Sequence, residues 1–208
     1  MVFKSIFHNE TSENTYLVYD EETKNGIIID PGCKMEKIEN LIAENGVSVK
    51  YILLTHCHYD HIESLIPLKE KTDAKLVTGD KGSKNVGDIK INLSTYGLGY
   101  PISGIESDVI LSDGETLTLD GLNIKCIYTP GHTDCCVCYL CEKELFAGYT
   151  LCFRSVRKWD LPTGDFPTLK KSIKEKLYTL PDETNVHSGH GNSTTIGYEK
   201  KYNFCVKL

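Results

Sequence analysis

Thr55-His56-Cys57-His58-Tyr59-Asp60-His61 decides how the rest of the chain is read. The run before it, residues 50–55, is short and mostly apolar, the pattern of a strand buried on both faces. A helical pattern opens at His61 or Ile62 and continues through Leu68. Four metal-capable side chains within six residues cannot all point one way on a regular element. On a strand-to-helix turn they can diverge around two neighbouring points. Neutral imidazoles and a carboxylate suit zinc or a similar first-row ion.

Two further segments repeat the arrangement of a histidine at a strand end. Pro130-Gly131-His132-Thr133 closes one strand, and Ser188-Gly189-His190-Gly191 closes another. The adjacent glycines suit tight turns and close backbone approach. Five of the seven histidines thus sit in motifs that each end a strand. His8 and His187 match no ligand motif and are read as surface or packed residues. Cys57 lies between two ligand candidates and points away from them if the local chain is extended. Cys152 is not expected to reach the site.

Around these motifs, strands and helices interleave. Residues 2–7, 15–19 and 26–30 read as strands, the last closed by Asp30-Pro31-Gly32. Met35, Ile38, Leu41 and Ile42 follow at helical spacing until Asn45-Gly46. Residues 88–106 carry four glycine or proline breaks and no clear period, so they are expected to be an irregular, functional loop. Asp120-Gly121 joins a hairpin of 115–119 and 122–129. Strands over 135–141 and 144–148 come next. Phe166, Leu169, Ile173, Leu177 and Leu180 mark a helix with Asp165 as its cap and Pro167 in its first turn. A short strand spans 185–187. This order predicts sheets with helices packed outside, in one domain over 1–208.

Composition narrows the function. The chain has 208 residues, with 23 Lys+Arg against 29 Asp+Glu and a net charge of −6. With no basic block, it has no electrostatic footprint for nucleic acid. The first residues lack the apolar core of a signal peptide, and the longest apolar run, 135–141, is too short to cross a bilayer. A cytoplasmic location with no membrane partner is expected. Nine cysteines are an odd number, far below the density of a disulfide scaffold, and fit a reduced compartment. Cys138 and Cys141 form a C-x-x-C, but on a strand they would face opposite sides, so they are read as core residues.

These motifs resemble the metallo-β-lactamase superfamily, and within it the glyoxalase II-like hydrolases. The resemblance also takes in Glu13-Asn14-Thr15-Tyr16-Leu17-Val18, Ile29-Asp30-Pro31-Gly32, Leu111-Ser112-Asp113-Gly114-Glu115, Asp160-Leu161-Pro162-Thr163-Gly164-Asp165 and Thr194-Thr195-Ile196-Gly197. It covers nearly the whole chain. It implies an α/β fold, the αββα four-layer sandwich, in which two mixed β-sheets carry helices on their outer faces. It implies a first metal on His56, His58 and His132 and a second on Asp60, His61 and His190. Asp30 would orient a ligand from behind. The implied cofactor is zinc, one or two ions per chain, with iron or manganese as alternatives. The implied activity is hydrolysis of a small-molecule substrate, commonly a thioester of the hydroxyacylglutathione kind. In that chemistry a metal-bound hydroxide attacks the carbonyl, Asp60 and His61 belong to the catalytic machinery, and Asp60 can orient the hydroxide.

The chain departs from the family at one decisive place. Where glyoxalase II-like members carry Gly-Asp-Thr-Leu-Phe, with an Asp that bridges both metals, this chain reads Gly148-Tyr149-Thr150-Leu151-Cys152. A neutral phenol is a poor substitute for a bridging anion. The second ion would then still bind through its three remaining ligands, as in one subclass of metallo-β-lactamases, or bind weakly, or bind without efficient turnover. Tyr149 itself is read as packing at the rim. Farther on, Ser155-Val156-Arg157-Lys158-Trp159-Asp160 replaces a Ser-Ile-Gly-Arg-x-Asp pattern. Arg154, Arg157 and Lys158 are therefore candidates to hold a substrate carboxylate or phosphate. The chain ends soon after His190, without the helical domain that longer glyoxalase II enzymes use for glutathione, so glutathione specificity is not expected. A degenerate metal-binding member, a β-lactamase and an iron sulfur dioxygenase are the competing readings. The last would need an Asp at position 149.

Overall fold

The computed structural model describes residues 1–207. Two six-stranded sheets stack face to face. The first has the order β1 (Val2–Phe7), β2 (Asn14–Tyr19), β3 (Asn25–Ile29), β4 (Ser48–Leu53), β5 (Lys75–Gly79), β6 (Val109–Leu111). Its first three strands pair antiparallel and the rest parallel. The second runs β12 (Thr194–Thr195), β11 (Asn185–Ser188), β10 (Glu144–Gly148), β9 (Val137–Cys141), β8 (Leu122–Tyr128), β7 (Thr116–Leu119), with one parallel pair, β10 and β11. Both sheets are mixed, as the resemblance implies.

Strand alternation builds the layers. In β2, Tyr16 and Val18 face the second sheet, while Leu17 and Tyr19 face helices α1 (Met35–Asn45) and α3 (Leu65–Thr72). In β9, Val137, Tyr139 and Cys141 enter the space between the sheets. Cys138 faces the opposite layer, formed by α7 (Phe166–Ser172), the π-helical turn Ile173–Leu177 that continues it, and α8 (Ile196–Tyr202). The C-x-x-C pair therefore does face opposite sides. All nine cysteines are free and eight are buried, Cys57 and Cys138 among them. No helix is long and apolar enough to cross a membrane among the described residues.

Several local expectations change. The helical stretch after the histidine motif is two helices, α2 (Tyr59–Ile62) and α3, with Ser64 between them. Residues 88–106 are not an irregular loop throughout: after α4 (Gly82–Val86) they carry α5 (Ile89–Asn92) and α6 (Ser94–Leu98). Side-chain bonds replace periodicity there. Asn92 Nδ2 donates to the carbonyls of Val86 and Ile102, and the Ser94 hydroxyl accepts from the Ile102 amide. Asp165 caps α7 by accepting from the Thr168 amide, as its sequence suggests.

Phe146 is 1% exposed and packs edge-on against Phe3 and Tyr16 between the sheets. Phe146→Ala should destabilise the protein by about 3–5 kcal/mol, the cost of a large aromatic cavity. Urea unfolding measures it; a loss below about 1 kcal/mol would contradict this packing.

Candidate metal centre

The site lies at one rim of the sandwich, where strands of both sheets end. β4 delivers His56 and His58 through the extended segment before α2, and α2 presents Asp60 and His61. His132 follows β8 and His190 follows β11. Glycine makes two of these placements feasible. A Cβ on Gly131, whose φ is +141°, would lie 2.2 Å from the Leu169 backbone, so α7 could not close on the His132 loop. A Cβ on Gly189 would lie 2.6 Å from the His61 ring.

The six candidate ligands form two buried triads, His56–His58–His132 and Asp60–His61–His190, each with its donor atoms within 4.8 Å of one another. In the first, His58 Nδ1 and His132 Nε2 are 2.9 Å apart, and His56 Nε2 is buried without a hydrogen-bond partner. In the second, His190 Nε2 lies 3.2 Å from both His61 Nε2 and Asp60 Oδ2, and the third edge is 3.9 Å. Tetrahedral ligands at zinc-like distances lie about 3.3–3.6 Å apart. The second triad's edges of 3.2, 3.2 and 3.9 Å bracket that range, and the 2.9 Å pair in the first falls below it. The first adds an orphaned buried nitrogen that a cation would satisfy, and it fits a divalent ion. The second has the spacing, but its carboxylate is already engaged: Asp60 Oδ2 accepts from the Tyr149 hydroxyl at 3.2 Å.

Four of the five histidines have the nitrogen turned away from the triads tied to protein; His58 Nε2 is buried without a partner. His61 Nδ1 meets Asp30 Oδ2 at 2.9 Å, His190 Nδ1 meets the Thr11 carbonyl at 2.9 Å, and His132 Nδ1 meets the Lys158 carbonyl. His56 Nδ1 lies 3.2 Å from the Thr55 hydroxyl. Partners of this kind fix the ring and aim its other nitrogen inward. Asp30 has its backbone in the left-handed region, φ +50°, which Asp tolerates better than most residues. From there it also accepts from the Thr55 amide at 2.7 Å and the Thr55 hydroxyl at 2.6 Å.

Burial sets the protonation states. It pushes His132 down to about 3, with His58 adding to the effect, and His58 down to about 4. His56 is held well below the ordinary range by burial and by its histidine neighbours. The first triad is therefore neutral at pH 7, the form that ligates a metal. Burial opposes ionisation of Asp60, yet His61 and His190 beside it hold its carboxyl well below the usual range. Burial raises the Tyr149 phenol far above its ordinary value, so it is a neutral donor.

Tyr149 sits half-buried at the rim, as its sequence position suggests, with the candidate ligands around it. It stands between the triads. Its ring stacks on His190 at 4.3 Å and meets His132 at 4.6 Å, His61 at 5.1 Å and His56 at 5.2 Å. A cavity of ≈ 240 Å³ opens beside it, lined by His58, Asp60, His132, Tyr149, Arg157 and Lys158, with Tyr59, Leu93, Tyr96 and Leu161 as an apolar wall. Arg154 is the exception among the three basic candidates. It does not line this cavity; its guanidinium lies 4.5 Å from the Phe204 ring, and its amide is held by Glu199.

The histidines outside the motifs are packed. His187 bonds Glu144 at 2.6 Å. His8 accepts from the amides of Glu10 and Thr11 at 3.2 Å, which fixes the loop whose Thr11 carbonyl anchors His190. That role and the two anchoring carbonyls escape a reading of the sequence, because a backbone oxygen has no residue signature. Cys57 points away from the ligands, into contact with Cys135 at 3.8 Å.

Two buried donor triads at the rim of an αββα sandwich define a metal-dependent hydrolase architecture. The chain belongs to the metallo-beta-lactamase superfamily, whose family model matches residues 8–190. It is 33% identical over 194 residues to the hydroxyacylglutathione hydrolase GloC of Haemophilus influenzae, covering 92% of this chain and 91% of that one. Among solved structures it resembles the BLEG-1 B3 metallo-beta-lactamase, with a TM-score of 0.90, 32% identity and 98% of both chains covered. It also resembles TTHA1623 in a di-iron-bound form, with a TM-score of 0.80, 31% identity, and 97% and 98% coverage. A divalent metal is thus the expected cofactor class.

Asp30→Ala strands three buried donors: the Thr55 amide, the Thr55 hydroxyl and His61 Nδ1. At about 1–3 kcal/mol for each unsatisfied group, the metal-free protein should lose roughly 3 kcal/mol or more. Urea titration of the chelated protein checks this, and a loss under about 1 kcal/mol would contradict the role given to Asp30.

Proposed function

We propose that this protein is a metal-dependent hydrolase of thioesters, with zinc on His56, His58 and His132, acting on a small acyl-thiol substrate related to hydroxyacylglutathione. The observation that carries the reading is the cavity in which His58 and His132, the ionised Asp60 and the Arg157–Lys158 cations meet. The GloC relative supports the same substrate class. Held in the first triad, a divalent ion supplies Lewis acidity and a water of lowered pKa. The chain's own groups do the rest. Asp60, kept ionised, accepts a hydrogen bond from the attacking water and orients it. The Tyr149 hydroxyl, kept protonated, donates to Asp60 and fixes its carboxylate. Arg157 and Lys158 hold an anionic group of the thiol portion, and Leu93, Leu161 and Tyr96 cover its apolar part. The leaving thiolate has an ordinary pKa of about 8.5 and needs no strong acid, which suits a site whose first three histidines, His56, His58 and His132, are buried and neutral.

A second reading has one specific support. The BLEG-1 structure, named as a B3 metallo-beta-lactamase, is 32% identical over 98% of both chains. β-Lactam hydrolysis is therefore the alternative, and a degenerate binder without turnover is the reading in which Tyr149 is inactivating.

S-lactoylglutathione and a simple acyl thioester, assayed by thiol release beside a chromogenic cephalosporin, separate these. Thioester turnover is expected. His132→Ala should cost more than the roughly 100-fold that losing an orienting partner costs. Arg157→Ala should raise KM about tenfold with little change in kcat, the worth of one charged hydrogen bond. Cephalosporin turnover alone would favour the second reading, and turnover of neither substrate would favour the degenerate one.

A further inference from the structure

We propose that this chain holds a single metal ion, in the His56–His58–His132 triad, and that Tyr149 with Arg157 closes the Asp60–His61–His190 triad and stands where a second ion would. The proposal shares with the proposed function only the premise that the first triad binds a divalent ion.

Three observations carry it. First, Asp60 is the sole anion of the second triad, and its Oδ2 accepts from the Tyr149 hydroxyl at 3.2 Å and lies 3.2 Å from His190 Nε2. A cation entering there must displace the phenol hydrogen bond. Second, Tyr149 covers the triad. Its ring lies at 15° to the His190 ring, 4.3 Å away, and Tyr149 lines the cavity while neither His61 nor His190 does. Third, the Arg157 guanidinium sits 5.5 Å from the centre of the Tyr149 ring, so the closed triad already faces a fixed positive charge. A dication would meet one carboxylate, two imidazoles and that guanidinium, and like charges this close repel. The first triad has no carboxylate tied to the phenol. There His56 Nε2 is buried and unpaired. Three-histidine sites with an open fourth position are a known zinc arrangement.

The closed triad still contributes to the cavity. Arg157 offers a charge on the side where a second ion would polarise the substrate, while the Tyr149 hydroxyl stays bonded to Asp60. The two residues act as a pair because the cation rests on the phenol ring.

Metal content is the direct test. The purified chain is stripped, loaded with excess zinc, desalted, and read by elemental analysis and native mass spectrometry. One zinc per chain is expected. His190→Ala should retain one, and His132→Ala should retain none. Tyr149→Asp should bind two, and Tyr149→Asp with Arg157→Gly should bind two more tightly. Two zinc ions on the unsubstituted chain would overturn the proposal. So would a single ion lost in His190→Ala but kept in His132→Ala, or a Tyr149→Asp chain that stays at one. Because the readout is stoichiometry, a chain with one zinc and no thioester turnover would sink the proposed activity and leave this inference standing.

Discussion

The Asp30 carboxylate is the constraint on which the site depends. Its two oxygens hold the Thr55 amide, the Thr55 hydroxyl and His61 Nδ1, all buried. Thr55 begins the histidine motif and its hydroxyl touches His56, so one carboxylate orients residues of both triads. It does so from a left-handed backbone position directly after β3, a strained conformation that persists because the surrounding bonds over-determine it. Without that anchor, the strand-to-helix turn would have no reason to send adjacent side chains toward two different points.

The layers make this affordable. Period-two alternation in β2, β3, β9 and β10 fills three separate apolar clusters, one between the sheets and one under each helical layer. Rigid strand ends then present His132 and His190 from the second sheet opposite His56 and His58 from the first. The polar rim is tolerated because four of its five outward nitrogens have protein partners and its inward ones face each other.

Much of this was legible in the residues. Strands β1 and β10 have the bounds their patterns suggest, and the Asp120-Gly121 turn joins the expected hairpin. The cap at Asp165 and the opposed faces of Cys138 and Cys141 also follow from sequence. β6 and α4–α6 are three to five residues long, too short for any period to register, and long-range pairing or side-chain bonds hold them. The contacts of Tyr149 are not legible in the sequence. Its neighbours suggest a rim residue, but only the fold brings His132, His190 and Asp60 around it. Arg154, one turn of chain from Arg157, faces Phe204 because its left-handed backbone, φ +60°, turns it toward α8. Sequence adjacency carries no such direction.

The central claim is that the first triad is a cation site and that its three histidines converge on one point. Anomalous diffraction at the zinc edge from crystals of the loaded protein tests it most directly. The account predicts a peak bonded to His56 Nε2, His58 Nδ1 and His132 Nε2 at about 2.0–2.1 Å. No peak there, or a peak held instead by Asp60, His61 and His190 with Tyr149 swung away, would contradict it.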